Sequence, residues 1–192
     1  MFVDKPITTE EAERLTLLYI SLYYELRKRY EAETGIPVKE YKRLEPEKIR
    51  RFFREFSTWR ASVYNAASLM ISKLLVIHPL PNMNHRTSIT WTILFFRAND
   101  VVFPRYDVVQ EKERYKSDCV QLIERSKPLL RAKPKKRDEH LRMSKEWIKA
   151  MLGRPVQSGR LARISPVATS LRMLIAHIES AGDSGSRTMN HT

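Results

Sequence analysis

Cysteine occurs once in the 192 residues, so the chain can form no internal disulfide. The one thiol, Cys119, sits beside Val120 and Leu122 in a helical pattern, where a small core residue is expected. No run of eighteen apolar residues is present, which excludes an apolar membrane-spanning helix. The opening MFVDKPITTEEAERL lacks the basic and apolar regions of a signal peptide, and a cytoplasmic location is the expectation. Internal repeats and low-complexity arrays are absent. No zinc-ligand spacing, basic zipper or compact helix-turn-helix pattern occurs either, and His140, His177 and His191 share no metal-binding spacing.

What is present is a strongly basic chain with a formal charge of +13 and 42% hydrophobic residues, enough for a core. The charge is uneven. Residues 128–192 hold thirteen Lys or Arg against five Asp or Glu. That balance favours acidic partners, including non-specific nucleic-acid contact through the C-terminal third, without choosing among them.

Apolar spacing reads as helical almost throughout, giving an all-α expectation. Thr8 and Glu11 match a capping box opening a helix that ends near Gly35, with Leu15, Leu18, Ile20, Leu22 and Leu26 along one stripe. Gly35 to Leu44 is the one stretch suggesting extended structure. Glu45 to Phe56 reads as a basic amphipathic helix with Ile49, Phe52, Phe53 and Phe56 inward. Further helices are expected over Val63–Ile77, from the turn after it to Asn99, and, after a turn opened by Pro104, over Asp107–Ser126. The prolines and basic cluster after Lys127 read as a linker. It leads to helices over Glu139–Leu152 and, behind Ser165-Pro166, Val167–Glu179. The expected organisation is a helical domain over 1–127, a basic helical extension over 128–180 and a disordered tail over 181–192.

The richest segment is HPLPNMNHRT, His78 to Thr87, between two apolar helices. Pro79 and Pro81 disfavour helical geometry at the residues before them, so the first helix should stop near His78 and present its imidazole at the turn. Asn82 or Asn84 can cap the second helix, whose free amides and positive dipole end favour anions. Arg86 in its first turn carries a forked, permanent charge suited to phosphate. Thr87 reads as a helix residue with a satisfied hydroxyl.

These residues resemble the signature of the Fic/Doc (Fido) family, in which His, often Pro, Phe, any residue, Asp or Glu, Gly or Ala, Asn, Gly or Lys, and Arg follow in order. Here the string is His78, Pro79, Leu80, Pro81, Asn82, Met83, Asn84, His85, Arg86. The Arg86-Thr87 continuation, with Ile89 where many members carry a second arginine, is closer to the Doc branch. The resemblance implies a helical bundle with a short β-hairpin flap, which the 35–44 stretch would supply. It also implies a nucleotide-dependent transferase moving AMP or phosphate from ATP, or another nucleoside triphosphate, to a Ser, Thr or Tyr hydroxyl of a target protein. An antitoxin or regulatory partner belongs to the same implication.

Within it, His78 is the catalytic base, suited by a pKa near roughly 6.5. Asn84, His85, Arg86 and the backbone near Met83 bind the phosphates, with His85 as a partly charged donor. Asn82 stands at the metal position. Lacking the carboxylate that a hard magnesium ion prefers, it should hold Mg2+ weakly. Leu80 replaces the usual Phe as a core anchor, and Met83 and His85 replace smaller or basic residues near the phosphates. The inhibitory Ser or Thr, three residues, Glu pattern of regulated relatives is not evident. Two classes therefore stand side by side: an active transferase, or a binding protein, either a catalytically weakened Fido fold or a basic helical nucleic-acid binder.

Overall fold

The computed structural model describes residues 5–101, 109–152 and 164–186. Their order is α1 (Thr9–Thr34), α2 (Pro46–Ser57), β1 (Arg60–Ala61), α3 (Val63–Ile77), α4 (Asn84–Ala98), α5 (Val109–Arg131), α6 (Arg137–Leu152), β2 (Ser165–Pro166) and α7 (Val167–Ser186). The all-α expectation holds.

Local chemistry explains the ends. Thr8 accepts from the Glu11 amide at 3.1 Å while the Glu11 carboxylate accepts from the Thr8 amide at 2.7 Å, the reciprocal pair that starts α1. Gly35 ends α1 with a φ of 68° that costs glycine little. On α1 the tyrosines rather than the leucine stripe form the inner face. Tyr19 and Tyr23 are buried with Leu15, while Leu18, Ile20 and Leu22 are only partly covered. Tyr19 meets Trp91 of α4 edge-on at 5.3 Å, Phe53 of α2 packs 5.7 Å from the same indole, and the Tyr19 hydroxyl bonds Ser88 at 3.0 Å. These contacts fix the helix that follows the motif.

The C-terminal third corrects the expected organisation. α5 runs through Pro128 to Arg131, across the boundary placed at 127. α6 then packs on α3 and α5, and α7 on α4. Met143, Trp147, Ile148, Leu171 and Leu174 join the same buried cluster as Met70 and Phe96. The segment reads as an appendage because it opens with prolines and a basic cluster and carries a strong excess of Lys and Arg, whereas its apolar residues complete the core. Of the expected tail, residues 181–186 continue α7, and 187–192 lie outside the described residues. Pro104 and Asp107 also lie outside them. Cys119 is half-buried against the core rather than within it.

The expected hairpin over 35–44 is likewise corrected. That stretch pairs no strands, because its amides and carbonyls turn to the motif loop. Tyr41 N–H donates to Pro81 O at 3.2 Å and Glu45 N–H to Pro79 O at 2.9 Å. The small sheet lies elsewhere, with β1 and β2 antiparallel and Arg60 opposite Pro166. Arg172 of α7 binds the Glu11 carboxylate with two nitrogens at 2.6 and 3.1 Å and also reaches Lys5 O and Pro6 O, clasping the two ends of the described fold.

Candidate active site

α3 ends where the prolines demand. His78 caps it in the left-handed region at φ 47°, and Met83 precedes α4 at φ 56°. Two non-glycine residues in that region within six positions hold a conformation that costs about 1–2 kcal/mol each, a form of strain that clusters at functional sites. Leu80, fully buried, anchors the loop between them as expected.

A histidine at a helix end often serves only to satisfy the last carbonyls, but lysines do that here. Lys42 donates to His78 O, and Lys135 to Val76 O at 2.8 Å. The His78 ring is therefore exposed and free of capping duty. Desolvation by its neighbours, then the charges of Lys42 and Lys135, hold its pKa below the usual imidazole value. It is neutral at pH 7.

Asn82 and Asn84 do not play the expected parts. Asn84 is buried, and its amide is spent on the loop: Oδ1 accepts from Leu80 N–H at 3.0 Å and Nδ2 donates to Leu80 O at 3.0 Å. Its other amide hydrogen faces His78 Nδ1 at 3.5 Å, too long to fix the ring. Asn84 thus positions the turn, with its second Nδ2 hydrogen left for another acceptor. Asn82 Oδ1 accepts from the Met83 amide at 2.6 Å while its Nδ2 donates to Lys39 O at 2.6 Å, tying the 35–44 loop to the motif. With both ends engaged and no carboxylate among the residues lining the adjoining cleft, the site does not fit a divalent cation held by the protein. The Met83 amide, expected to face phosphate, is the one Asn82 occupies. Thr87, expected to have a satisfied hydroxyl, is buried with that oxygen unpartnered among the described residues.

The cleft has a volume of about 430 Å³, within the range of small-molecule sites. Asn82, Met83, His85 and Arg86 form its motif side; Ile36 to Lys39 and Tyr41 form the facing side, with Tyr30 between. The Arg86 guanidinium rests 4.6 Å from the centre of the Tyr30 ring, an orientation that leaves its N–H groups available. His78 does not line this cleft.

His85 departs furthest from expectation. Its Nε2 lies 2.8 Å from Ser126 Oγ, which lies 3.0 Å from His140 Nε2, whose Nδ1 lies 2.9 Å from Ser72 Oγ. Ser126 and His140 are wholly buried. Burial pushes both imidazoles down to about 4, His85 being further lowered by His78 and His140. His85 is thus a neutral group at pH 7 rather than a partly charged phosphate donor. Sequence reasoning missed Ser72, Ser126 and His140. The available signal was a polar residue on the inward face of each of three helices, the apolar α3 and the amphipathic α5 and α6.

A model described as a family of unknown function (DUF8172) matches residues 6–154. The chain belongs to that family. Its matched span contains the turn, the cleft and every member of the His85 to Ser72 series. No curated protein and no solved structure matches the chain. Among the described residues no helix is long and apolar enough to cross a membrane.

Proposed function

We propose that this DUF8172 chain is a nucleotide-dependent transferase of Fic/Doc type that moves AMP or phosphate to a hydroxyl of a protein target. The observation that carries the reading is the placement of Asn82, Met83, His85 and Arg86 along one wall of a nucleotide-sized cleft, with the neutral His78 exposed at the head of the same turn. Ile36, Pro37, Val38 and Tyr41 suit a flat base, while Lys39 and Arg86 suit phosphates.

In the reaction the target hydroxyl gives its proton to His78, which stands outside the cleft at the head of the turn, as its oxygen bonds the phosphorus presented at the cleft mouth. The bond from phosphorus to the leaving pyrophosphate (AMP transfer) or nucleoside diphosphate (phosphate transfer) breaks. Arg86 offsets the charge that develops on the transferred group. No step is assigned to a protein-held metal. The lack of carboxylates in the cleft favours a second reading, a protein that binds nucleotide without transferring it.

ATP labelled at the α or the γ phosphate, incubated with cell extract and the wild-type or His78→Ala chain, separates these. Transfer of α label that needs His78 means AMP addition, and transfer of γ label means phosphorylation. Nucleotide binding with neither transfer supports the second reading. No binding in the cleft overturns both.

A further inference from the structure

We infer that His85 is the proton donor of the cleft, supplied through a buried wire of Ser126, His140 and Ser72 that opens into a second cavity between α3 and α6. The donor role rests on the transferase reading; the wire does not.

The wire's inner members are covered on every side, yet its two ends reach open space. His85 lines the cleft, and Ser72 lines a separate cavity of about 300 Å³ together with Lys73, Arg137 and Asp138. All three intervening separations lie within hydrogen-bond range. Since α3, α4, α5 and α6 each supply one member, the alignment is a product of tertiary packing. His85 Nδ1 has no protein partner among the described residues, so it is the ring nitrogen left for a ligand.

Proton counting restricts the states. Ser126 has one hydroxyl hydrogen and stands between two Nε2 atoms, and each neutral ring carries one hydrogen. A continuous series therefore has only two polarities. In one, Ser72 donates to His140 Nδ1, His140 Nε2–H to Ser126, and Ser126 to His85 Nε2, leaving Nδ1–H of His85 to face the cleft. The other is its reverse. In either, the two imidazoles carry opposite tautomers.

Donation follows from the first polarity. The Nδ1 proton of His85 passes to an oxygen of the departing phosphate while Ser126 protonates Nε2. His140 reprotonates Ser126, Ser72 reprotonates His140 Nδ1, and water in the second cavity returns a proton to Ser72. One proton enters at Ser72 and one leaves at His85, and no ring becomes charged. After product release a proton taken back from the cleft by His85 Nδ1 runs the series in reverse and restores the first polarity, so over a full cycle the wire lends the proton and recovers it. The ionisable groups around His85 are His78, His140, Lys127 and Glu124, whereas only desolvation acts on His140.

Ring nitrogen NMR on the full chain at pH 7 tests the wire without turnover. The expected result is opposite tautomers for His85 and His140, with inorganic pyrophosphate driving His85 to Nδ1–H and His140 to Nε2–H together. Ser126→Ala should remove that joint response and leave each ring to its own preference. Two Nε2–H rings in the wild type would mean that Ser126 donates to a third group, and the inference fails. A joint response that survives Ser126→Ala also overturns it. Since the wild-type measurement decides alone, a variant that does not fold leaves the test intact. Absent transfer with opposite tautomers removes the donor role and keeps the wire; identical tautomers with transfer remove the wire and leave His78 chemistry standing.

Discussion

The two faces of the 78–86 turn treat histidine in opposite ways. On the outer face His78 stands exposed, with Lys42 and Lys135 holding the carbonyls that its own helix end would otherwise offer. On the inner face His85 is tied through Ser126 to His140, which has no exposed surface at all. Both faces keep imidazole neutral at pH 7, the outer by partial desolvation and nearby cations, the inner chiefly by burial. The same charge state is thus reached by two means with different consequences: the outer ring can be altered at little cost to folding, and the inner ones cannot.

The inner face depends on α6 being part of the main body, and the largest expected effect tests that. Trp147→Ala, removing a buried ring of α6, should cost about 3–5 kcal/mol and lower the urea midpoint of the whole chain in one transition. A separate early transition confined to the C-terminal third would restore the appended-extension reading. On the outer face, His78→Ala should reduce label transfer by about 10²–10⁴-fold with a melting temperature close to wild type. Equal loss of folding would erase the contrast between the faces.

Acid should act mainly on the inner face. Because His140 is held at about 4 in the folded chain, the unfolded chain takes up protons first as pH falls through roughly 6.5. Stability is complete above that pH and declines toward pH 4, by about 3 kcal/mol from His140. Urea unfolding at pH 7 and 4.5 measures this, and a flat profile would show that His140 is not desolvated. Asn84→Ala leaves the Leu80 amide and carbonyl without partners and should cost about 1–3 kcal/mol. The smallest effect sharpens the outer face: Lys135→Ala should change stability by less than about 1 kcal/mol while raising the His78 pKa in an NMR titration.

Much of the architecture could be read from residue order because it is set locally. Thr8 with Glu11, Gly35, and the prolines after His78 fix helix ends through bonds within a few residues, and Ile49, Phe52, Phe53 and Phe56 all turn inward at their spacing. The packing of α6 and α7 depends on partners far along the chain and was concealed by a basic surface. In the site, the positions of His78 and Arg86 followed from the turn. Asn82 and Asn84 did not, since an amide side chain can serve a ligand or the backbone equally well. The path from His85 to Ser72 needed four helices in place before its members became neighbours.

The clasp between Arg172 and Glu11 joins residues 161 positions apart. During synthesis the ribosome releases the first helix long before the last, so α1 must wait for α7 before its outer end is secured. A nascent chain stalled short of Arg172 would leave that end open to proteases and chaperones.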